Sequence, residues 1–399
     1  MHTVEEARNL ILENFSPLPI QDIPVRDARG MVVARDLYAS HPLPRFDNSA
    51  MDGYAVRRAD LVGLPVALDL VGEIRAGGAG DISVEPGTAV RIMTGAPVPP
   101  GADSVVPIEV TNEADGKVTV SETPPAHGHI RPAGDDLDEG DLLVTSGTEL
   151  AAGELALLAS MGMSPVAVHR RPRVVVLSTG DELVAPEQEP GPGQIRDSNS
   201  VALGALIAEA GGVPEFGNRV ADDRDAVRAA LLEATKQADL IISSGGVSVG
   251  RYDHVKDVIE DLGSIDLWRV AMQPGKPVVS GRVGDVPFVG LPGNPVSIHI
   301  GFEQFARPAI RKMRGCSHLL RPTIRARLTA RVDKTPGRLH FVRVRLEFSD
   351  EGVLATPSKG QGSHIQSSLV GCHGVARFDV EESVLEEGDE VVVELWALP

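Results

Sequence analysis

Four loops near the middle of the chain carry glycine, serine, acidic and lysine side chains, and each follows a segment that is predicted to be a strand. They are Ser178–Glu182 (STGDE), Ser243–Gly250 (SSGGVSVG), Gln273–Pro277 (QPGKP) and Leu291–Pro295 (LPGNP). In open α/β sheets, ligands bind outside the carboxyl ends of the strands. We therefore expect the four loops to surround one pocket.

The SSGGVSVG loop has the composition of a phosphate-binding loop. Its glycines let backbone N–H groups approach a phosphate, and a helix predicted to begin soon after it favours negative charge. No Gly-Lys-Ser/Thr follows, so the loop is not of the Walker type. A single glycine-rich loop is also compatible with a plain turn, and that alternative stays open.

Prolines stiffen two other loops of the expected pocket. Lys276 stands between two prolines, whose fixed φ angles aim its ammonium group. Pro292 and Pro295 fix the path of the chain around Asn294, which can also cap the following helix. An ordinary surface lysine and a simple helix cap are the alternatives.

Carboxylates follow strands or begin helices near the same edge. Glu182, Asp222 and Asp253 could together bind Mg²⁺, which takes one or two carboxylates along with substrate oxygens. Asp222 or Asp223 is also expected to cap the next helix, and Asp181 suits a turn. From the residues alone, we expect a multidomain protein whose α/β part binds a phosphorylated small molecule with Mg²⁺.

The composition argues against several classes of protein. A net charge of −18 disfavours binding to nucleic-acid phosphates, and 4% aromatic residues leave few platforms for stacking bases. The 2 cysteines, Cys316 and Cys372, encode neither a disulfide framework nor a zinc knuckle. The acidic, amphipathic start is unlike a signal peptide, and no apolar stretch approaches the ~20 residues that span a bilayer. We expect a cytoplasmic protein with no nucleic-acid or membrane partner.

Positive charge is concentrated between residues 301 and 345. This segment has twelve Lys and Arg residues against Glu303 and Asp333, although the whole chain is acidic. A local cationic region can focus small anions. A solvated basic face is the alternative.

The pattern of apolar residues places the loops in a multidomain chain of class α/β plus β. Residues 172–315 alternate strands with helices, which predicts a doubly wound α/β domain with a parallel sheet covered on both faces. Short β runs fill residues 46–144, and alternating polarity in 319–399 predicts a small β-barrel or sandwich. We assign 1–45 and 145–170 to an extended helical and linker domain, 46–144 to a β-rich domain, 171–318 to the α/β domain and 319–399 to a C-terminal β-barrel.

Nine motifs occur in a fixed order: DNSAMDGYAVR, RIMTGAPVP, STGDEL, DSN, SSGGVSVG, PGKP, GLPGNPVS, TPGR and QGSHI. In this order they closely resemble the molybdopterin molybdenumtransferase family, the MoeA proteins, which includes the E domain of gephyrin. STGDEL and GGVSVG also occur in the related molybdopterin adenylyltransferases. The segments AMDGYA and TGAPVP and the β-rich tail separate this chain from those single-domain enzymes. The resemblance implies a central α/β domain of the molybdopterin-binding type.

The resemblance also implies an activity and partners. A member of this family takes adenylylated molybdopterin and molybdate as substrates, inserts molybdenum at the dithiolene sulfurs and releases AMP, with Mg²⁺ as cofactor. It is a homodimer whose pocket lies between one subunit's α/β domain and the partner's second domain. An upstream adenylyltransferase and downstream molybdoenzymes or chaperones are the implied protein partners. The alternatives are a molybdopterin adenylyltransferase and a non-catalytic carrier or scaffold, and tungstate could replace molybdate.

The resemblance carries roles onto individual residues of this sequence. Asp222 and Asp253 would hold the metal, with Glu182 beside them. Asp52, Thr94 and Asp136 would act from the partner subunit, and Lys276 from the same subunit. The residues implied in binding the substrate and the oxyanion are Ser244, Gly245, Gly246, Pro277, Pro292, Asn294, Pro295, Arg343 and Ser363.

Two features bear on the implied oxyanion site. Many relatives have lysines at the positions of Gln273 and Arg269. The missing charge at Gln273 weakens the expected molybdate site, and Arg269 could compensate for it. Of the two arginines near the TPGR motif, Arg343 rather than Arg338 is assigned to the anion.

Overall fold

The structure is a computed structural model that describes residues 1–217, 219–246, 254–267, 269–350 and 352–398. It has two compact units. The larger unit comprises Met1–Arg35, Ser146–Leu155 and Ser164–Pro399, and the smaller unit comprises Asp36–Thr145 and Ala156–Met163. The division into four domains is finer than this one and stays a prediction. Within the described residues, no helix is both long and apolar enough to cross a membrane.

The chain begins with the predicted amphipathic helix, α1 (Val4–Glu13). Thr3 and Glu6 form a reciprocal capping box at its start, which satisfies two backbone N–H groups that would otherwise lack partners. Its apolar stripe is buried against the core of the larger unit. Two strands follow, β1 (Ile20–Ile23) and β2 (Val32–Val33).

The smaller unit is built from short strands, as the sequence predicts. They are β3 (Leu37–Tyr38), β4 (Asn48–Ser49), β5 (Gly53–Val56), β6 (Val66–Ile74), β7 (Thr88–Ile92), β8 (Ser104–Pro107), β9 (Thr111–Ala114), β10 (Lys117–Val120), β11 (Ile130–Arg131) and β12 (Leu142–Val144). Six of them form one sheet in the order β8-β5-β7-β6-β10-β9. Neighbouring residues such as Tyr54 and Ala55 enter different apolar clusters, so both faces of this sheet are covered.

The chain then forms helix α2 (Ala152–Ser160) and strand β13 (Val166–His169). Strand β13 lies between β1 and β2 in a three-stranded sheet. The amino-terminal segment is thereby joined to the chain that leads into the α/β part. Short 3-10 turns occur at Val25–Asp27, Arg58–Asp60, Ile108–Val110 and Gln366–Leu369.

A six-stranded sheet forms the centre of the α/β part. Its strands are β14 (Arg173–Ser178), β17 (Val213–Phe216), β18 (Leu240–Ser244), β19 (Gly263–Leu267), β21 (Val279–Val283) and β22 (Val286–Leu291), in the order β17-β14-β18-β22-β21-β19. Successive residues of β14 enter two different apolar clusters, as expected when helices cover both faces. The helices are α3 (Ser198–Glu209), α4 (Arg224–Ala234), α5 (His254–Leu262) and α6 (Pro295–Gly301). The doubly wound α/β prediction is confirmed.

The expectation of a fully parallel sheet holds for the direction of five strands, and one, β21, runs the other way. Strands β21 and β22 are joined by a tight turn at Gly284 and Asp285, so they pair antiparallel, and β19 pairs antiparallel with β21. Gly284 has a φ of 57°, which suits the hairpin turn. Two residues, β20 (Met272–Gln273), leave the sheet and pair with a strand of the carboxyl-terminal part. A further short pair is β15 (Leu183–Val184) with β16 (Ile195–Arg196).

Helix α6 continues through a π-helical turn at Phe302–Ala306 into α7 (Arg307–Met313). The carboxyl-terminal part is a closed barrel of β23 (Thr323–Leu328), β25 (Leu339–Ser349), β26 (Gly352–Pro357), β27 (Gly374–Phe378) and β29 (Glu390–Leu395). Each of these strands pairs with two others, and the pairing of β25 with β27 closes the ring. Strands β24 (Val332–Asp333) and β28 (Val384–Leu385) pair separately. The predicted carboxyl-terminal β-barrel is confirmed.

Candidate functional site

A cleft of about 970 Å³ opens at the carboxyl edge of the central sheet, within the larger unit. All four loops singled out in the sequence contribute to its wall. Eleven of the residues predicted for the site line it: Glu182, Asp222, Ser244, Gly245, Gly246, Lys276, Pro277, Pro292, Asn294, Pro295 and Ser363. The expected pocket is therefore present.

Strand register explains why these loops meet. Ser178, Ser244 and Leu291 are the last residues of β14, β18 and β22, and they lie opposite one another across three adjacent parallel strands. Parallel strands end at the same edge, so the loops that follow them must lie side by side. The QPGKP loop reaches the cleft differently, because it continues from β20, which is paired to the barrel.

The first two glycines of the SSGGVSVG loop have a left-handed backbone conformation that residues with a side chain rarely adopt. Gly245 and Gly246 have φ angles of 85° and 69°. A Cβ at position 246 would lie 2.3 Å from Cγ2 of Val255 in α5. The loop therefore exposes bare backbone where a ligand can approach closely. The rest of the motif, residues 247–250, lies outside the described residues.

We expect Gly246→Ala to lower the free energy of unfolding by about 1–3 kcal/mol, because it combines a left-handed φ with a steric clash. Gly293→Ala is the matched control: its Cβ would meet nothing nearer than the Gly245 Cα at 3.9 Å. Urea unfolding of both variants measures the difference. Equal stability of the two would show that the loop has another conformation.

The acidic residues of the cleft divide between structural and functional positions. Asp223, and not Asp222, caps α4, since its Oδ2 accepts a hydrogen bond of 2.9 Å from the backbone N–H of Ala226. Asp222 instead lines the cleft, and its own N–H donates to Oδ1 of Asp181 at 3.2 Å. Partial burial raises the pKa of Asp222, and the charges of Asp181 and Glu182 raise it further.

This concentration of negative charge fits a divalent cation. Burial and the charges of Asp181 and Glu182 together outweigh the opposing effect of His254 on the pKa of Asp222, and a bound cation would offset this excess of negative charge. In the part of the chain that the structure describes, no three His, Cys, Asp or Glu side chains form a preformed metal site. Asp253, the second predicted ligand, lies outside the described residues.

Half of the twelve cations in the basic segment at 301–345 form ion pairs, so the charge of the segment does not act as one anion-attracting surface. Arg307 and Arg321 contact the buried Glu303, and Arg311 and Arg314 contact Glu149. On the barrel, Arg325 pairs with Glu390, and Arg331 pairs with Asp333 and Glu386. The acidic partners mostly come from outside the segment, which the local charge count could not reveal.

Two cations of the cleft have no carboxylate partner among the described residues: Lys276, which is exposed, and Arg338, which is half-buried. Gln273 also lines the cleft, whereas Arg269, expected to compensate for it, does not. Arg338 therefore provides the second cation without a carboxylate partner, whereas Arg196, which also lines the cleft, pairs with Glu189. Lysine and arginine can both bind oxyanions, and arginine can do so through two parallel N–H donors.

Arg343 lies inside the structure and not on the wall of the cleft. Its side chain is fully buried, and Nη2 donates to the carbonyl oxygens of Gly360 (3.1 Å) and Gly362 (3.4 Å). Burial lowers the pKa of this guanidinium to about 10. Gln361 bonds the backbone N–H and carbonyl of Arg343 and itself lines the cleft. Arg343 thus supports the loop that carries Ser363.

The loop that carries Ser363 also caps helix α6. The backbone N–H of Val296 donates to the carbonyl oxygen of Ser363 at 3.1 Å. Asn294 occupies the N-cap position but makes no capping hydrogen bond with its side chain. The simple cap is therefore not the role of Asn294, and its side chain lines the cleft.

Three predicted residues belong to the smaller unit. Oδ1 of Asp52 accepts hydrogen bonds of 2.7 Å from both the N–H and the Oγ1 of Thr94, and these bonds lower the pKa of Asp52. The structure therefore brings Asp52 and Thr94 together. The backbone N–H of Asp136 donates to the carbonyl oxygen of Leu43 at 2.9 Å.

The DSN motif supplies cleft residues to which the sequence analysis gave no role. Asp197, Ser198 and Asn199 line the cleft at the start of α3. The sequence does contain a signal for this position. Asp197 precedes a predicted helix, as an N-cap residue does, and a helix that starts after the STGDEL loop starts near the strand ends. Arg338 belongs to the TPGR motif and lines the cleft, whereas Arg343, which the resemblance assigns to the anion, is buried.

Comparison with known proteins shows which family the chain belongs to. Three family models match in succession: the MoeA N-terminal region (domain I and II) over residues 2–162, a probable molybdopterin binding domain over 175–312, and the MoeA C-terminal region (domain IV) over 325–396. The molybdopterin molybdenumtransferase of Haemophilus influenzae is 38% identical over 400 residues, covering 99% of this chain and 98% of that protein. The chain belongs to the MoeA family of molybdopterin molybdenumtransferases.

Further relatives agree with this assignment. Molybdopterin molybdenumtransferase 2 of Mycobacterium tuberculosis is 37% identical over 408 residues and covers the whole of both chains. The crystal structure of a molybdopterin biosynthesis MoeA protein from Pyrococcus horikoshii superposes with a TM-score of 0.85 at 33% identity, covering 98% of each chain. As a MoeA-family member, the chain is an enzyme of molybdenum cofactor biosynthesis.

Proposed function

We propose that this MoeA-family enzyme inserts molybdenum from molybdate into adenylylated molybdopterin, forming Mo-molybdopterin and releasing AMP with the help of Mg²⁺. One observation supports this most: a single cleft combines a bare glycine loop, the carboxylates of Glu182 and Asp222, and the cations Lys276 and Arg338, which have no carboxylate partner among the described residues. A phosphate-containing substrate, a metal and an oxyanion each have a suitable set of groups there.

The residues of the cleft divide among these three tasks. Ser244, Gly245 and Gly246 would bind the phosphates through N–H and hydroxyl groups. Lys276 and Arg338 would bind the oxyanion, with Pro277 and Ser363 beside it. Pro292, Asn294 and Pro295 would shape the wall, and Arg343 would hold the Ser363 loop. Asp222, Asp253 and Glu182 would hold Mg²⁺, which would neutralise the charge that develops as AMP leaves.

The reaction balances with these groups. Two Mo–S bonds form as two Mo–O bonds break, and water cleaves the phosphoanhydride bond that joins AMP to the pterin phosphate. The dithiol protons leave with the released oxygens. The residues of this chain orient the two anions and offset their repulsion, which allows the sulfurs to approach the molybdenum.

The assembly implied by the family belongs to the same proposal. In a homodimer, Asp52, Thr94 and Asp136 would complete the cleft from the partner subunit. The Asp52–Thr94 contact within the smaller unit supports a shared role for this pair. We place the enzyme in the cytoplasm.

AMP release from adenylylated molybdopterin by the purified enzyme, with Mg²⁺ and with or without molybdate, tests the proposal. We expect release that depends on molybdate. Release without any oxyanion would indicate a simple hydrolase. Binding of substrate with no release under any condition would indicate a carrier, and pyrophosphate made from ATP and molybdopterin would indicate an adenylyltransferase.

We expect Lys276→Ala to raise the KM for molybdate by about tenfold to a hundredfold, since it removes a charged hydrogen bond to the anion. The kcat at saturating molybdate should fall much less. Lys236→Ala is the control, because Lys236 is exposed and pairs with Glu233 on α4, outside the cleft lining. An unchanged KM in Lys276→Ala would exclude Lys276 from the oxyanion site.

A further inference from the structure

Asn199, in the first turn of α3, connects two loops of the cleft. Its Nδ2 donates to Oγ of Ser244 at 3.1 Å and to the carbonyl oxygen of Gly293 at 2.8 Å. The second bond fixes the orientation of the amide, because a carbonyl oxygen can only accept. One side chain therefore ties the glycine loop to the LPGNP loop. The two loops also approach closely at Gly245 and Gly293.

A polar network holds Asn199 in place. Asp197, only 5% exposed, accepts from the N–H of Ser200 at 3.0 Å and from its hydroxyl at 2.7 Å. The Ser200 hydroxyl lies 2.6 Å from that of Ser178, the last residue of β14. The first turn of α3 is thus anchored to the sheet, so Asn199 projects from a rigid base.

The bond to Asn199 also orients the hydroxyl of Ser244. Because Oγ of Ser244 accepts from the amide, its own hydrogen is directed elsewhere. Within the described residues, that hydrogen has no acceptor, and Ser244 lines the cleft. The hydroxyl is therefore available to donate to an anion next to the glycine loop.

We propose that Asn199 is a positioning residue that sets the spacing of the two loops and directs the Ser244 hydrogen toward a bound phosphate. This inference rests on the proposed function, since the phosphate is taken to be that of the adenylylated substrate. An amide suits the position because it gives two donors and no charge. An aspartate would accept from Ser244, turn the hydrogen away and repel both Gly293 O and the phosphate.

Amide hydrogen exchange of the ligand-free enzyme tests the loop spacing without any reaction. The N–H of Gly245 donates to the carbonyl oxygen of Leu291 at 2.9 Å and reports on the contact between the loops. In Asn199→Ala, we expect exchange at Gly245 to be about tenfold faster, as expected for loss of a bridging hydrogen bond. Val201→Ser, on the exposed side of α3, should leave exchange at Gly245 unchanged.

Calorimetric binding of AMP tests the orientation of the hydroxyl. Asn199→Ala should weaken binding about tenfold, and Asn199→Asp, which is isosteric, about a hundredfold. In a Ser244→Ala background, Asn199→Ala should cost clearly less than in the wild type, because the two residues act together. Melting temperatures of all variants should stay close to that of the wild type.

Unchanged exchange at Gly245 in Asn199→Ala, or additive losses of AMP binding in the double variant, would overturn the inference. Equal effects of the alanine and aspartate variants would overturn the part that concerns the hydroxyl. If the wild type binds AMP but shows no molybdate-dependent turnover, the proposed reaction fails. The exchange and AMP measurements still decide the role of Asn199 in that case.

Discussion

Replacing Asp222 with asparagine is expected to lower AMP release by about a hundredfold to a thousandfold, the scale for losing one charge-stabilising group in a reaction centre. Asparagine keeps the shape and the backbone contact to Asp181 but removes the charge that would hold Mg²⁺. Steady-state release of AMP as a function of Mg²⁺ concentration measures the effect. An Asp222→Asn variant with unchanged Mg²⁺ dependence would remove Asp222 from the metal site.

The same variant should not lose stability. The folded-state pKa of Asp222 is raised. In acid the group is protonated in both states and has no effect on stability, and its ionisation opposes folding as the pH rises from the unfolded-state pKa through the raised folded-state pKa. Asp222→Asn should therefore equal the wild type in acid and gain in relative stability toward neutral pH. Mg²⁺ should raise the melting temperature of the wild type but not of the variant. Calorimetric melting of both proteins across this pH range, with and without Mg²⁺, checks the expected pH dependence and the expected effect of Mg²⁺.

Asp223→Ala is the matched control for this prediction. Asp223 caps α4, so its loss should lower the free energy of unfolding by about 0.5–2 kcal/mol. The Mg²⁺ dependence of turnover should persist. Substitution of Asp222 would then reduce turnover but not stability, and substitution of the adjacent Asp223 would reduce stability but not the Mg²⁺ dependence of turnover. Loss of Mg²⁺ dependence in Asp223→Ala would show that the cap and the metal site are not separate.

Arg343→Ala is expected to lower the free energy of unfolding by about 2–4 kcal/mol, since it leaves a cavity and two carbonyl oxygens without their donor. The guanidinium is fully buried and binds Gly360 and Gly362, the loop that carries Ser363. Chemical denaturation measures the loss. The Ser363 loop should also become more accessible to proteases.

Arg338→Ala should show the reverse pattern. The side chain is half-buried at the cleft and has no carboxylate partner among the described residues, so stability should change by less than about 0.5 kcal/mol. The KM for molybdate should rise by about tenfold or more. If Arg343→Ala instead weakened molybdate binding without a loss of stability, that result would support direct binding of the anion by Arg343.

The sequence predicted the loops of the cleft well, because their position depends on strand order. A strand followed by Gly, Ser and Asp residues places them at one edge in any parallel sheet. The choice between Asp222 and Asp223 was beyond the sequence, since a shift of one residue in the start of α4 exchanges cap and cleft positions. Only the geometry of the first helical turn distinguishes them.

The position of Arg343 could not be predicted for a different reason. The sequence FVRVRLEF alternates, which indicates a strand with one exposed face. The first half of β25 is buried on both faces, because it contributes both to the barrel core and to the core shared with the α/β part. Arg343 thus lies in an interior that the alternation gave no reason to expect, and Arg338, just before the strand, reaches the cleft.

The pairing of β20 with β25 limits how this protein can be divided. The loop that carries Lys276 continues from β20, which pairs with β25 of the barrel, and the carbonyl oxygen of Ser363 caps α6 of the α/β part. A fragment ending near residue 318 would keep the central sheet but lose the support of both features. The barrel is therefore an integral part of the fold. The core of the α/β part includes Leu339, Phe341 and Val375 of the barrel, so the α/β part expressed alone should expose apolar surface and lose stability. Separately expressed halves would have to reassociate before they could bind the oxyanion.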